Sequence, residues 1–261
     1  MNGLKGKVAL ITGAGGGIGA ATAMLFARLG AKLSLTARNE ANVKLVSDKC
    51  VHVQPADTQQ PLMVLAELSS DADVNNIVDA TIKKFGRLDI LINNAGIYEP
   101  GGIDCTSLEQ YDHIMNVNTR SVFHLMMLCV PHLIETQGNV VNVSSIAGTR
   151  SVSRQVAYCM SKSAVNQLTR CAALDLAPKG VRVNSVNPGA IFTEIHKRAA
   201  LADEEYAKRV EQLKGMHPLG RVGDPDEVAQ AIAFLATDRA SFITGEHIHI
   251  DGGMHTTTSA L

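Results

Sequence analysis

The sequence has almost no net charge, no long apolar run and no paired-cysteine spacing, and each absence removes a class of function. Its 24 lysines and arginines face 25 aspartates and glutamates, for a formal net charge of -1. A polyanion-binding protein needs a basic stripe; none is visible, so nucleic acid is not an expected partner. The longest apolar runs fall far short of the roughly 20 residues that cross a bilayer. The most apolar of them, Val122 to Ile134, is interrupted by His124, Pro131 and His132, so membrane insertion is not expected. Met1 to Gly6 leads into a short strand and glycines rather than into the apolar core and small-residue cleavage site of a signal peptide. The five cysteines, Cys50, Cys105, Cys129, Cys159 and Cys171, are odd in number and form no CxxC. They read as free thiols in a reducing, cytoplasmic setting. The nine histidines make no HExxH or HxxxH, so no metal site is expected.

What is present is a chain of 261 residues, 46% hydrophobic, long enough for one sizeable α/β domain over 1–261. Short apolar runs alternate with helical periodicity. Strands are expected at Lys7–Ile11, Lys32–Thr36, Pro61–Leu68, Leu88–Ile92, in 'GNVVNVSS' from Gly138, in 'GVRVNSVN' from Gly180, and at His247–Ile250. Helices are expected at Ile18–Leu29, Glu40–Lys49, Asp73–Phe85, Leu108–Leu133 and Gln155–Ala177. Strands separated by helices of this length predict a parallel sheet with helices on both faces. The charged stretch 192–217 reads either as a solvated helix pair or as a lid over a substrate.

Directly after the first strand come Gly13, Gly15, Gly17, Ile18 and Gly19 in 'TGAGGGIG'. Glycines here permit a tight turn and close approach of phosphate to the backbone, and the helix that follows offers free N–H groups and its positive dipole end. That combination predicts a dinucleotide pyrophosphate site, spaced G-x-x-x-G-x-G. At the end of the second strand stand Arg38 and Asn39, where NAD sites often carry an acid that grips the ribose hydroxyls. An arginine with no carboxylate beside it in the sequence favours a 2′-phosphate, hence NADP(H) over NAD(H).

Tyr158 and Lys162 are four residues apart on an expected helix and so share a face. A phenol is a poor base near neutrality, and a neighbouring ammonium should stabilise its anion and draw its pKa down. Tyr158 can then give a proton to a carbonyl oxygen as hydride reaches the carbon, or take it back in alcohol oxidation. Ser144 and Ser145 end the fifth strand, and alternation along an extended chain puts one of the two hydroxyls into the site; the spacing leaves open which. Cys159, beside Tyr158, points elsewhere on the helix and reads as a packing residue.

With 'TGAGGGIG', 'NNAG' at Asn93–Gly96, 'NVN' at Asn116–Asn118, 'SSIAG' at Ser144–Gly148, 'YCMSK' at Tyr158–Lys162, 'PGAIFT' at Pro188–Thr193 and 'ITGEHIHIDGG' at Ile243–Gly253, the chain resembles the short-chain dehydrogenase/reductase family. The similarity is to its compact members, such as 3-oxoacyl-acyl-carrier-protein reductases and tropinone reductases. The resemblance implies a Rossmann-type three-layer fold with a mainly seven-stranded parallel sheet, and NADP(H)-linked interconversion of a ketone and a secondary alcohol. It implies that Ser145 is the catalytic serine and that Asn118, Ser145, Tyr158 and Lys162 form the reacting centre, Asn118 holding a water linked to Lys162 and Lys162 also holding the nicotinamide ribose. Asn93 is implied to brace the central sheet, and Asn94, Ala95 and Gly96 to let the dinucleotide pass close to the backbone. Pro188, Gly189, Ile191 and Thr193 are implied around the nicotinamide. Glu67 and Leu68 stand where the family commonly has an aspartate against adenine. Assembly as a homotetramer or homodimer through long helices and the last strand is a further implication.

Ile97, Tyr98, Ile146, Ala147, Val152, Ala190 and Ile191 are expected as an apolar pocket wall suited to a ketone or secondary alcohol. Arg150 and Arg154 read either as receivers of an anionic tail, as in a 3-oxoacyl thioester, or as solvent arginines. A non-catalytic dinucleotide-binding regulator and a lyase or epimerase on the same fold are the remaining alternatives.

Overall fold

Seven short runs rich in valine, leucine and isoleucine become the strands of one sheet in a computed structural model that describes residues 3–192 and 211–257. β1 (Val8–Thr12) is followed by α1 (Gly17–Arg28), β2 (Lys32–Ala37), α2 (Glu40–Val53), β3 (Leu62–Leu65), α3 (Asp71–Phe85) and β4 (Ile90–Asn93). Then come α4 (Leu108–Met115), α5 (Ser121–Thr136), β5 (Asn139–Val143), α6 (Val156–Leu176), β6 (Arg182–Pro188), α7 (Pro225–Ala236) and β7 (His247–Ile250). All strand pairs are parallel, in the order β3-β2-β1-β4-β5-β6-β7.

A parallel sheet must bury both faces, and two apolar clusters do so. Alternation divides β4 between them: Ile90 and Ile92 join Phe26, Leu33, Leu35 and Ile232 on the face covered by α1, α2 and α7. Leu91 joins Ile77, Leu125, Leu133, Val165 and Val183 on the face covered by α3, α5 and α6. The chain runs outward from β1 to β3 and then returns to place β4 on the other side of β1, which opens a crevice at the carboxyl ends of these strands.

Three expected elements differ. The single helix over Leu108–Leu133 is two helices joined by a π turn at Asn116–Arg120. Side-chain bonds draw that turn out of register: Asn118 is tied to Ile97 and Ser161, and Thr119 to the Ser161 carbonyl. One extra residue per turn leaves the apolar periodicity on either side nearly intact, so pattern alone does not show it. The strand expected over Pro61–Leu68 is paired only at Leu62–Leu65, because the Glu67 N–H turns to the Asp73 carboxylate at 2.8 Å. The helix expected to end at Lys49 continues to Val53, since buried Cys50 prolongs its apolar face. Of the stretch 192–217, residues 193–210 lie outside the described residues, and with them Thr193.

Candidate active site

Along the carboxyl edge of the sheet runs a cleft of about 1130 Å³. Its floor at β1 is the glycine turn. Gly13 and Gly17 sit at φ of 65° and 52°, in the left-handed region that a side chain disfavours. Gly15, Gly16, Gly17 and Ile18 line the cleft. The α1 N-terminus has no side-chain cap and no acid in its first turn, whereas Asn39 and Ser70 cap α2 and α3. Its N–H groups are therefore left for an acceptor in the cleft, and an anionic pyrophosphate suits them. Gly19 lies behind the wall and serves packing instead. A Cβ there would run into the Gly13 carbonyl and lie 2.5 Å from Asn94 Nδ2, so its bare Cα lets α1 pack against the turn after β4.

Thr12 opens 'TGAGGGIG' but is given no role of its own by the sequence, yet it ties the two turns together. Its hydroxyl accepts from the N–H groups of Asn94 and Ala95 at 2.9 and 3.0 Å, while Asn94 Nδ2 donates back to the Thr12 carbonyl at 2.8 Å. Asn93 donates to Asn142 Oδ1 on β5 at 2.9 Å, and Asn142 donates onward to Thr169 on α6 at 2.9 Å. This buried amide chain joins β4, β5 and α6 behind the cleft.

At the far end, Arg38, Asn39, Glu67 and Leu68 line the wall. Asn39 also accepts from the Asn42 N–H as the α2 cap. The expectation that no carboxylate stands near Arg38 is corrected here: Glu67, at the end of β3, pairs with it at 3.5 Å. The two residues are distant in sequence and adjacent only because β2 and β3 are neighbours.

The residues expected at the reacting centre converge on the opposite end. The two serines are engaged differently: the Ser144 hydroxyl donates to the Lys162 carbonyl at 3.1 Å, whereas Ser145 lies beside Tyr158 and acts on its pKa. Ser145 Oγ also accepts from the Ala147 N–H at 3.1 Å. Lys162 is buried, and its ammonium donates to the Val143 carbonyl at 3.0 Å. Desolvation lowers its pKa to about 8, which leaves it a cation at neutrality.

Tyr158 departs from expectation. Its pKa is not drawn down but pushed up to about 12; desolvation dominates, the bond to Ser145 pulls the other way, and Cys159 and Tyr98 add to the rise. A phenolate between apolar walls loses more hydration than these neighbours return. The Tyr98 ring meets the Tyr158 ring edge-on, centroids 5.4 Å apart.

Asn118 is not a wall residue. It is buried and bonded to Ile97 in both directions, accepting from its N–H at 2.8 Å and donating to its carbonyl at 2.9 Å. Gly96 brings Asn118 and Lys162 within reach of one point: a Cβ on Gly96 would lie 3.2 Å from Asn118 Oδ1 and 3.4 Å from Lys162 Nζ. Ser161, also missed from sequence, accepts from Asn118 Nδ2 at 3.1 Å and so ties the π turn to α6.

Pro188, Gly189, Ala190 and Ile191 close the near wall. The Ala190 N–H donates to His217 Nε2 at 3.2 Å, and Ile191 forms a bridge with Gly223. Ile97, Tyr98, Ile146, Ala147 and Val152 line the same space, joined by Leu213, Met216 and Met254. Leu213 and Met216 fall within the stretch 192–217 read as a possible lid, whereas Met254 comes from a distant C-terminal segment that sequence reasoning missed. Arg154 stands at the rim, whereas Arg150 donates to the Met254 carbonyl and to Thr257 Oγ1 and so holds the C-terminal segment. No described helix is long and apolar enough to cross a membrane.

Residues 13–255 match a family described as Enoyl-(Acyl carrier protein) reductase. The chain is 37% identical over 253 residues to a 3-oxoacyl-[acyl-carrier-protein] reductase of Thermotoga maritima, covering 96% of this chain and 98% of that protein. It is 37% identical over 259 residues to a cyclohexanol dehydrogenase of an Acinetobacter species, covering 96% of each. A short-chain dehydrogenase/reductase of Caenorhabditis elegans, solved with cofactor, superposes with a TM-score of 0.91 at 32% identity, covering 98% of this chain and 97% of that one.

Proposed function

The chain belongs to the short-chain dehydrogenase/reductase family, and from that premise we propose that it interconverts a ketone and a secondary alcohol with Tyr158 as acid and base and NADP(H) as preferred cofactor. Membership itself makes it an oxidoreductase that uses a dinucleotide and acts on carbonyl or alcohol substrates. The observation that carries the finer reading is the convergence of Ser145, Tyr158 and Lys162 on one end of a cleft whose other end is the glycine turn and Arg38.

A nicotinamide cofactor, held by Lys162, Pro188, Gly189 and Ile191 along the cleft, would supply or accept hydride at the reacting carbon. The Ser145 hydroxyl holds the carbonyl oxygen against the phenol, and Tyr158 donates the proton to it. A phenol with its pKa near 12 carries that proton throughout the neutral range, which suits the reducing direction. Lys162, still charged below about pH 8, stabilises the phenolate left behind. Asn118 fixes Ile97 and the wall loop that carries it. Leu213, Met216, Met254 and Val152 give the substrate an apolar seat, which favours a bulky ketone over a small charged acid.

A 3-oxoacyl thioester is the second reading. The exposed Arg154 guanidinium at the rim favours it, because it can meet a phosphorylated carrier arm. A non-catalytic dinucleotide regulator has no need of the assembled serine, tyrosine and lysine. Homotetramer or homodimer assembly is supported by Phe123 and Met127 on α5 and Leu174 on α6, large apolar side chains left exposed.

The test is a screen of ketones, secondary alcohols and 3-oxoacyl thioesters with NADPH and NADH, read by cofactor absorbance with product identification. NADPH-dependent reduction of a ketone that Tyr158→Phe abolishes supports the proposal. Undiminished reduction by that variant overturns it.

A further inference from the structure

Parallel pairing of β2 and β3 ends at Ala37 opposite Leu65, with one more bond from the Ala66 N–H to the Ala37 carbonyl at 3.2 Å. The next residues on the two strands, Arg38 and Glu67, therefore emerge side by side at the adenosine end of the cleft, and both line it. Arg38 Nη1 and Glu67 Oε2 are 3.5 Å apart. The other carboxylate oxygen, Oε1, accepts from the Ser69 N–H at 3.4 Å, and the Glu67 N–H is held by Asp73. Glu67 is thus held by its own loop from two sides. The Arg38 side chain is 59% exposed.

We propose that Glu67 is the specificity-setting counter-anion of this site: it occupies Arg38 and so weakens the protein's selection of a 2′-phosphorylated adenosine over an unphosphorylated one. The inference rests on the reading of Arg38 as the 2′-phosphate residue. A 2′-phosphate carries more charge than one carboxylate and binds an arginine fork well, but to reach Arg38 it must displace Glu67 and then lie beside its negative charge. Like charges brought together at a binding surface act against the ligand that carries them. An adenosine with a free 2′-hydroxyl meets neither cost. The end of β2 alone reads as a site selective for NADP(H); with Glu67 beside it, that preference persists but is weaker.

Direct calorimetric titration with adenosine 2′,5′-bisphosphate and adenosine 5′-monophosphate isolates this end of the cleft from the chemistry. The quantity read is the ratio of the two affinities, because any contact of Glu67 with adenine is common to both ligands and cancels. Glu67→Gln keeps the size of the side chain and an acceptor for Ser69. It should raise the preference for the bisphosphate by about threefold to fivefold, the effect of one exposed charge interaction. Arg38→Ala should remove the preference. If Arg38→Ala leaves the preference intact, the assignment of Arg38 fails and the inference fails with it. If Arg38→Ala removes it but the ratio in Glu67→Gln is unchanged, the counter-anion role alone is overturned. A lower ratio in Glu67→Gln would make Glu67 a support that orients Arg38, and that too overturns the proposal.

Discussion

The Lys162 ammonium lies 5.7 Å from the centre of the Tyr158 ring. It is one helical turn away and bonded to the Val143 carbonyl rather than to the phenol. A cation at that distance acts through space on whichever form of the phenol is present, and in the proposed reaction the proton leaves from the Tyr158 hydroxyl. Substituting Tyr158→Phe removes the donor while keeping the ring and its edge contact with Tyr98. Turnover should fall by about 10² to 10⁴-fold, the range for a positioned proton donor, while dinucleotide binding, followed by fluorescence titration, persists. Loss of binding in parallel with turnover would assign Tyr158 to cofactor seating instead.

Lys162 carries a stability penalty whose sign can be worked out. Its folded pKa, about 8, lies below the ordinary lysine value of 10.5. Between these two values the unfolded chain holds the proton that the folded one has lost, so stability rises with pH across that window. The penalty is complete below pH 8 and gone above 10.5, and is on the order of 3 kcal/mol at neutrality. Lys162→Met removes it and leaves the Val143 carbonyl without its donor, at about 1 to 2 kcal/mol. The variant should lose activity yet melt about 2 to 6 °C higher at pH 7, with the gain shrinking as pH approaches 10. A lower melting temperature at pH 7 would show that the Val143 bond outweighs the buried charge.

Much of the sheet was legible in the sequence because the central strands β1 and β4 are runs of buried, mostly apolar residues, and these signals are local. The glycine turn, Tyr158, Lys162 and the serine pair were legible for the same reason: strand end, helix face and residue chemistry lie within a few positions of one another. The Arg38–Glu67 pair was not, since it depends on β2 and β3 being neighbours. Nor was the rise in the Tyr158 pKa, which depends on how deeply the assembled walls desolvate the ring. Thr12, Ser161 and His217 act through bonds to residues 82, 43 and 27 positions away, a reach that no spacing motif encodes. The division between Gly17 and Gly19 was likewise hidden, since both appear as glycines of one loop.

Asn118 holds both backbone groups of Ile97 with one amide. In Asn118→Ala the Ile97 N–H and carbonyl lose their partners in a half-buried loop, which costs roughly 1 to 3 kcal/mol per unmet group. The expected result is a clear drop in unfolding free energy by denaturant titration, together with slower turnover if the cleft that Ile97 and Tyr98 line seats the substrate. Asn118→Asp restores the acceptor but not the donor and should recover part of the stability. Equal losses for the two variants would mean that the Ile97 N–H bond contributes nothing.

Gly16 and Gly19 differ in what surrounds them, and substitution at each should separate the phosphate turn from its packing. A Cβ on Gly16 meets nothing within 4 Å, and the backbone there is extended at φ 178°, a conformation open to any residue. A Cβ on Gly19 collides with the Gly13 carbonyl, and backbone cannot yield as a flexible side chain does. Gly19→Ala should therefore cost about 1 to 3 kcal/mol of stability, as overpacking does, and weaken dinucleotide binding by displacing the turn. Gly16→Ala should melt within about 0.5 kcal/mol of the parent protein, like other substitutions that strain nothing. Any loss of cofactor affinity in Gly16→Ala would then come from the methyl group standing in the cleft, since the fold is unchanged. If instead Gly16→Ala unfolds at lower denaturant than Gly19→Ala, the turn is held by contacts at Gly16 and the packing role of Gly19 is wrong.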